Sequence, residues 1–165
     1  MKLCIANSLT LLIISAHTLL YGFLMLALHP HVQETMFNEI QRVIGDRTPT
    51  YDDMSDLLYP LCVMFETLRL FPAVVSVPKL TRKEEILLGK YRIPKNTTVS
   101  YDSVHLHYNP EYWGDDADTF NPSRFDGRNN ESDNNTGAAS NERFKFPAKG
   151  TFIPFSEGHR SCQGT

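Results

Sequence analysis

Cys162 stands in a run whose residue types can aim one sulfur at a large ligand. Phe155-Ser156-Glu157-Gly158-His159-Arg160-Ser161-Cys162-Gln163-Gly164 fits the spacing F-x-x-G-x-R-x-C-x-G at every fixed position. Average residue frequencies give such a match in a chain of this length a chance probability on the order of 10⁻⁵. Gly158 and Gly164 let the main chain turn tightly and pass close to a flat ligand without a Cβ in the way. Arg160 supplies fixed positive charge for an anionic group or for the surroundings of the thiolate. Two plainer readings stand beside this one. A lone cysteine is ordinarily a small buried hydrophobe, and Cys162 could be a nucleophile with His159 as its base. The four matching neighbours favour the ligand.

A second constellation is Glu66-Thr67-Leu68-Arg69, an acid and a base three apart on one helical face. Alone it means little, because an E-x-x-R arises roughly once by chance in a chain this long. As an exposed helix ion pair it would contribute about half a kcal/mol. It lies, however, within the apolar run YPLCVMFETLRLFP, where a charged pair must be buried and further satisfied. Another arginine, Arg124, follows in Phe120-Asn121-Pro122-Ser123-Arg124-Phe125. A carboxylate can accept from two guanidinium groups at once.

The elements that must hold these residues are readable by pattern. Residues 9–28 are almost continuously apolar, with no acidic or basic residue among them except His17. Such a length is a membrane-span candidate, but it equally suits a helix buried on all sides, the reading favoured here. Pro30 opens a second helix in which Val32, Met36, Ile40, Val43 and Ile44 share a face, and Gly45 stops it. A loop follows over 45–51, then a helix whose final stretch Pro60 opens and Phe71-Pro72 closes. Strands are expected over 74–81, 85–93 (bent at Gly89) and 97–102. Residues 105–125 read as an irregular but packed connection, and 127–141 as a polar, flexible surface insertion. The class expected is mainly α with a small β-sheet (α+β). A net charge of −3 gives no reason to expect nucleic acid. Three scattered cysteines exclude a disulfide framework and a zinc cluster.

Together the cysteine loop, the E-x-x-R and the later P-x-R-F resemble the cytochrome P-450 haem-thiolate monooxygenases. Smaller matches add to the likeness: Ile93-Pro94-Lys95, His105 with Asn109-Pro110, and Tyr112-Trp113-Gly114-Asp115. The resemblance implies haem b as cofactor, with Cys162 as the axial iron ligand whose thiolate pushes electron density toward bound oxygen. It implies that Arg160 pairs a haem propionate, that Phe155 shields the sulfur, and that Gly158 and Gly164 shape the loop. Lys79 falls where the family often has a further propionate contact. Glu66, Arg69 and Arg124 would form a buried structural triad that frames the loop. The partners implied are a small apolar organic substrate and a reductase passing electrons from NADPH. The location implied is the cytosolic face of the endoplasmic-reticulum membrane.

Read against the family, residues 1–15 are an atypical start and 16–28 the second half of the oxygen-activating helix. Helices including the E-x-x-R occupy 29–72, the β region 73–103, and the connection with the cysteine loop 104–165. The likeness fails where the oxygen-activating acid and threonine should fall, near Ile13 and Ile14, since neither isoleucine can move a proton. Gln163 is also unusual beside the ligand. The chain reads as a part of a longer haem-thiolate enzyme, with helix 9–28 then a core helix lacking its surroundings and prone to stick to membranes. The alternative function is a catalytically inactive, membrane-sticking or structural remnant.

Overall fold

A computed structural model describes residues 2–129, 143–146, 148–157 and 161–162. Helices dominate: α1 (Lys2–Leu28), α2 (Pro30–Val43), α3 (Leu58–Leu70) and the short α4 (Ser103–His107) and α5 (Pro110–Trp113). Two small antiparallel pairs supply the strands. β1 (Lys79–Leu80) joins β4 (Thr98–Val99), and β2 (Glu85–Leu87) joins β3 (Tyr91–Ile93). The chain is therefore mainly α with a minor β component, the class expected.

α3 is the central post. One side of it gathers Tyr59, Val63 and Leu70 with Met25 of α1, Val32 of α2 and Phe120. The other side gathers Leu58 and Cys62 with Trp113, Ala117 and Phe125. Apolar residues around the whole circumference of α3 explain why it must be covered from two directions. The α3 N-terminus has no side-chain cap of its own. Glu39 of α2 performs that service from outside: its Oε1 accepts the Tyr59 amide at 2.7 Å, where the helix dipole favours a carboxylate.

α2 starts at Pro30, and Gly45 turns the chain beyond it with φ 61°, a conformation in which glycine carries no Cβ penalty. A 3₁₀ turn, Tyr51–Ser55, follows. Its capping box pairs Thr50 with Asp53, and Arg47 bonds the same carboxylate.

Three expectations are corrected. Residues 74–78 are not a strand, because the Val75 carbonyl is taken by the amide and hydroxyl of Ser103, at 3.1 and 2.7 Å, and Pro78 has no amide to give. The bent strand over 85–93 is a hairpin. Leu88 and Gly89 both take positive φ, 54° and 71°, in the three-residue connection between β2 and β3, where the Lys90 amide donates to the Leu87 carbonyl at 3.2 Å. The third strand is cut to Thr98–Val99.

α1 has the exposure of a core helix that lacks its surroundings. It is helical from Lys2, and in the part with described side chains Met25 is buried while Leu12, Leu20 and Phe23 are about two-thirds exposed, at 68%, 65% and 67%. The physical reason is its apolar circumference: α2 and α3 cover one stripe and the rest faces outward. Among the described residues no single helix is long and apolar enough to cross a membrane. A bent pair, Leu12–Leu28 with Pro30–Val43 at 109°, reaches that length and composition together. The flexible insertion expected over 127–141 lies mostly outside the described residues; Gly127–Asn129 form a 3₁₀ turn.

Candidate functional site

The deepest polar feature is a carboxylate with two arginines. Glu66 and Arg69 are both fully buried on α3. Arg69 Nε and Nη2 donate to the two Glu66 oxygens at 2.7 and 2.8 Å, the paired geometry a guanidinium fork is shaped for. Glu66 Oε1 also accepts Arg124 Nε at 3.0 Å and the Asn121 amide at 2.9 Å. Arg124 sits in the 3₁₀ turn Pro122–Phe125, which packs against α3, and its outer face reaches Asp116 at 3.0 Å. Glu66, Arg69 and Arg124 are thus in one hydrogen-bonded group. Arg124 lowers the Asp116 carboxyl below its ordinary range by hydrogen bonding to it.

The remaining donors of Arg69 organise the connection that follows. Its Nη1 bonds the carbonyls of His107, at 2.7 Å, and Ala117. Its guanidinium lies 4.9 Å over the Trp113 ring, a cation–π contact. One buried side chain therefore ties α3 to α4 and to the segment after α5.

His107, absent from the sequence-derived site, continues the chain of bonds. It is fully buried. Its Nε2 accepts the Ile153 amide at 3.1 Å, so the ring proton is on Nδ1, which donates to the Arg69 carbonyl at 3.2 Å. Burial pulls the imidazole down to about 4, with the Arg69 carbonyl bond opposing and the Arg69 charge reinforcing. A histidine between Leu106 and Asn109-Pro110 carries no pattern that would single it out. Its role depends on contact across 46 residues of sequence.

Ile153 lies in the stretch 148–157 that leads to the cysteine loop. Phe152 packs among Phe65, Trp113 and Phe125, anchoring this stretch to the core. Ser156 turns the chain with φ 63° and donates its amide to the Ile153 carbonyl at 3.1 Å. The Cys162 amide returns to the Phe155 carbonyl at 3.0 Å, closing the loop at its base. Cys162 is exposed and forms no disulfide. Phe155 beside it is 37% exposed. A cavity of about 260 Å³ opens under the turn, lined by Phe146, Phe152, Ile153 and Ser156 among others. Gly158, Arg160 and Gly164 lie outside the described residues, as do His159 and Gln163.

The donor chemistry bears on which group fits. Among the described residues no three His, Cys, Asp or Glu side chains converge into a metal cage. A soft sulfur on a closed, outward-facing loop suits a metal that brings its other donors with it, as haem does. Lys79, on β1, is exposed. Val74 and Val75, just after α3, are exposed at 39% and 53%. On α1, Ile13 is 62% exposed, and the His17 ring packs against Tyr21 at 4.6 Å.

A second network goes beyond the sequence reading. Arg128 bonds Asp126 at 2.8 Å and Glu39 at 2.9 Å, joining the turn after Phe125 to α2. Its partner Glu39 is the carboxylate that caps α3, so the network reaches that helix through Glu39.

Comparison with known proteins agrees with this arrangement. The family profile described as cytochrome P-450 matches residues 15–165. Probable cytochrome P-450 313a1 of Drosophila melanogaster is 38% identical over 154 residues, covering 92% of this chain and 28% of that protein. Secologanin synthase 1 of Catharanthus roseus is 35% identical over 142 residues, covering 86% and 24%. The fold is similar to the haem domain of a cytochrome P-450DA mutant, with a TM-score of 0.72, 25% identity and coverage of 90% of this chain and 31% of that one. The chain spans between 24% and 31% of the length of these relatives. With its family match running from residue 15 to residue 165, the chain belongs to the cytochrome P-450 family.

Proposed function

We propose that this chain carries the thiolate-bearing part of a haem-thiolate monooxygenase, an oxidoreductase that inserts one atom of molecular oxygen into a small apolar organic substrate. The observation that carries the reading is the exposed Cys162 on a loop closed by its own amide and anchored beside a buried charge network. Cys162 is the iron ligand in this account. Phe155 covers the sulfur, Gly158 and Gly164 allow the close approach, and Arg160 and Lys79 neutralise the propionates. When bound, haem supplies the one-electron and oxygen chemistry, with electrons arriving from NADPH through a reductase. The Glu66–Arg69–Arg124 group acts by holding the frame, not by touching reactants. A location on the cytosolic face of the endoplasmic-reticulum membrane goes with this function, and the outward apolar face of α1 supports membrane contact.

A titration with haemin tests the reading. Saturable uptake of one haem per chain, lost in Cys162→Ala, is expected. Equal uptake by the chain and by Cys162→Ala would overturn the assignment of the ligand.

Ile13 and Ile14 favour a second reading for the chemistry. Counting back from the stretch that resembles the family, the proton-delivering pair should fall near them. A chain that binds haem through Cys162 yet turns over no substrate fits that substitution. NADPH consumption with a reductase and a panel of apolar substrates separates the two, since product formation would exclude the silent form.

A further inference from the structure

We propose that His107 is a positioning residue for the cysteine loop: its unprotonated Nε2, accepting the Ile153 amide, fixes the start of the stretch that presents Cys162. The inference rests on Cys162 being the functional sulfur of that loop.

The geometry makes His107 a two-sided clamp. Toward the core, its carbonyl accepts Arg69 Nη1 at 2.7 Å and its Nδ1–H donates to the Arg69 carbonyl at 3.2 Å. The ring therefore has both its tautomer and its plane set by one buried residue, itself held by Glu66. Toward the loop, Nε2 is left as an acceptor with one partner, the Ile153 amide at 3.1 Å. Phe152 packs on the ring at 5.5 Å, so the neighbouring residue reinforces the register. From Ile153 the order passes along the main chain. Its carbonyl accepts the Ser156 amide at 3.1 Å, Ser156 turns left-handed, and the Phe155 carbonyl accepts the Cys162 amide. Four hydrogen bonds thus link α3 through His107 to the loop that carries the sulfur, and the His107 side chain makes two of them.

This role differs from core packing because it needs an acceptor at one ring atom. Asparagine in place of His107 can reproduce the donor toward the Arg69 carbonyl but does not reach Ile153. Glutamine is long enough to place an amide oxygen near the Nε2 position.

Amide hydrogen exchange on the unsubstituted chain, His107→Asn and His107→Gln decides the matter, with the Cys62 and Val63 amides of α3 as controls for global opening. In His107→Asn the Ile153 amide should exchange about tenfold faster, the scale of one lost buried hydrogen bond. The Cys162 amide should accelerate with it. His107→Gln should restore both toward the unsubstituted rates. Equal effects of the two substitutions, or acceleration at Ile153 without any at Cys162, would overturn the proposal. If His107→Asn fails to fold, ¹⁵N spectra of the unsubstituted chain still decide: Nδ1–H with an unprotonated Nε2 is required, and the opposite tautomer refutes it. Haemin titration of the same samples keeps the two claims apart. Failure of every sample to take up haem would count against the cofactor reading, while the exchange pattern would stand or fall separately.

Discussion

Glu66→Ala should be the most damaging single substitution in the buried charge group. The Glu66 carboxylate receives two bonds from Arg69, one from Arg124 and one from the Asn121 amide. Its removal leaves Arg69 fully buried with only neutral carbonyls around its charge. Stranding one member of a buried ion pair costs about 3–5 kcal/mol. Arg124→Ala is milder for a structural reason. The Arg124 side chain is 12% exposed, its other acid Asp116 is half in solvent, and Glu66 still has Arg69. Loss of its charge-assisted bonds should cost about 1–3 kcal/mol. In urea, where small domains lose roughly 1–3 kcal/mol of stability per molar denaturant, Glu66→Ala should lower the midpoint by on the order of 2 M. Arg124→Ala should lower it by about half as much. Followed by circular dichroism, a midpoint for Glu66→Ala equal to or above that of Arg124→Ala would refute the reasoning. So would a loss below about 1 kcal/mol, the scale of an exposed pair.

Three further outcomes follow from other sites. His107 titrates at about 4 in the folded chain because burial disfavours its charged form, against an ordinary 6.5. The unfolded chain therefore binds more protons between those values. The stability this contributes is full above pH 6.5 and is lost as pH falls through 4, about 3 kcal/mol in all at 1.36 kcal/mol per unit. Urea midpoints should fall between pH 7 and pH 4.5, and more shallowly in His107→Gln; parallel slopes would contradict this. The Cys62 thiol is fully buried and pushed up to about 12 by burial and then by Asp126. Iodoacetamide at pH 8 should modify the exposed Cys162 in the folded chain, and Cys62 only once denaturant opens the core. Equal labelling rates would contradict the packing around α3. Glu39→Ala should destabilise by about 1–3 kcal/mol, since it strips the Tyr59 amide of its acceptor and Arg128 of one acid. An unchanged thermal midpoint would show that α3 is capped by other means.

The sequence carried the local chemistry far better than the long-range contacts. Cys162 with its neighbours and the Glu66–Arg69 spacing are short strings, and helix period plus proline position were enough to place α2 and α3. Arg124 came into view through the P-x-R-F segment that the family resemblance pairs with the E-x-x-R. His107, by contrast, is ordinary in sequence and acquires its role from residues 38 and 46 positions away. Glu39 likewise looks like one more acid on a solvated helix until Tyr59 and Arg128 are folded onto it. The strands were over-extended for a related reason: apolar residues at 74–78 suggest a sheet, but the Ser103 bonds to Val75 take the acceptor a ladder would use. For α1 the apolar circumference says that the helix wants cover, not that neighbours exist to give it, and most of its face is exposed.

The central claim is that Cys162 presents a thiolate to haem iron from a loop framed by the buried charge group. The most direct measurement is the absorption spectrum of the haemin-loaded chain after reduction and addition of carbon monoxide. A red-shifted Soret band of the thiolate-ligated type, abolished in Cys162→Ala and diminished in Glu66→Ala, is the result predicted. A Soret band at the position of nitrogen-ligated haem, unchanged by Cys162→Ala, would contradict it.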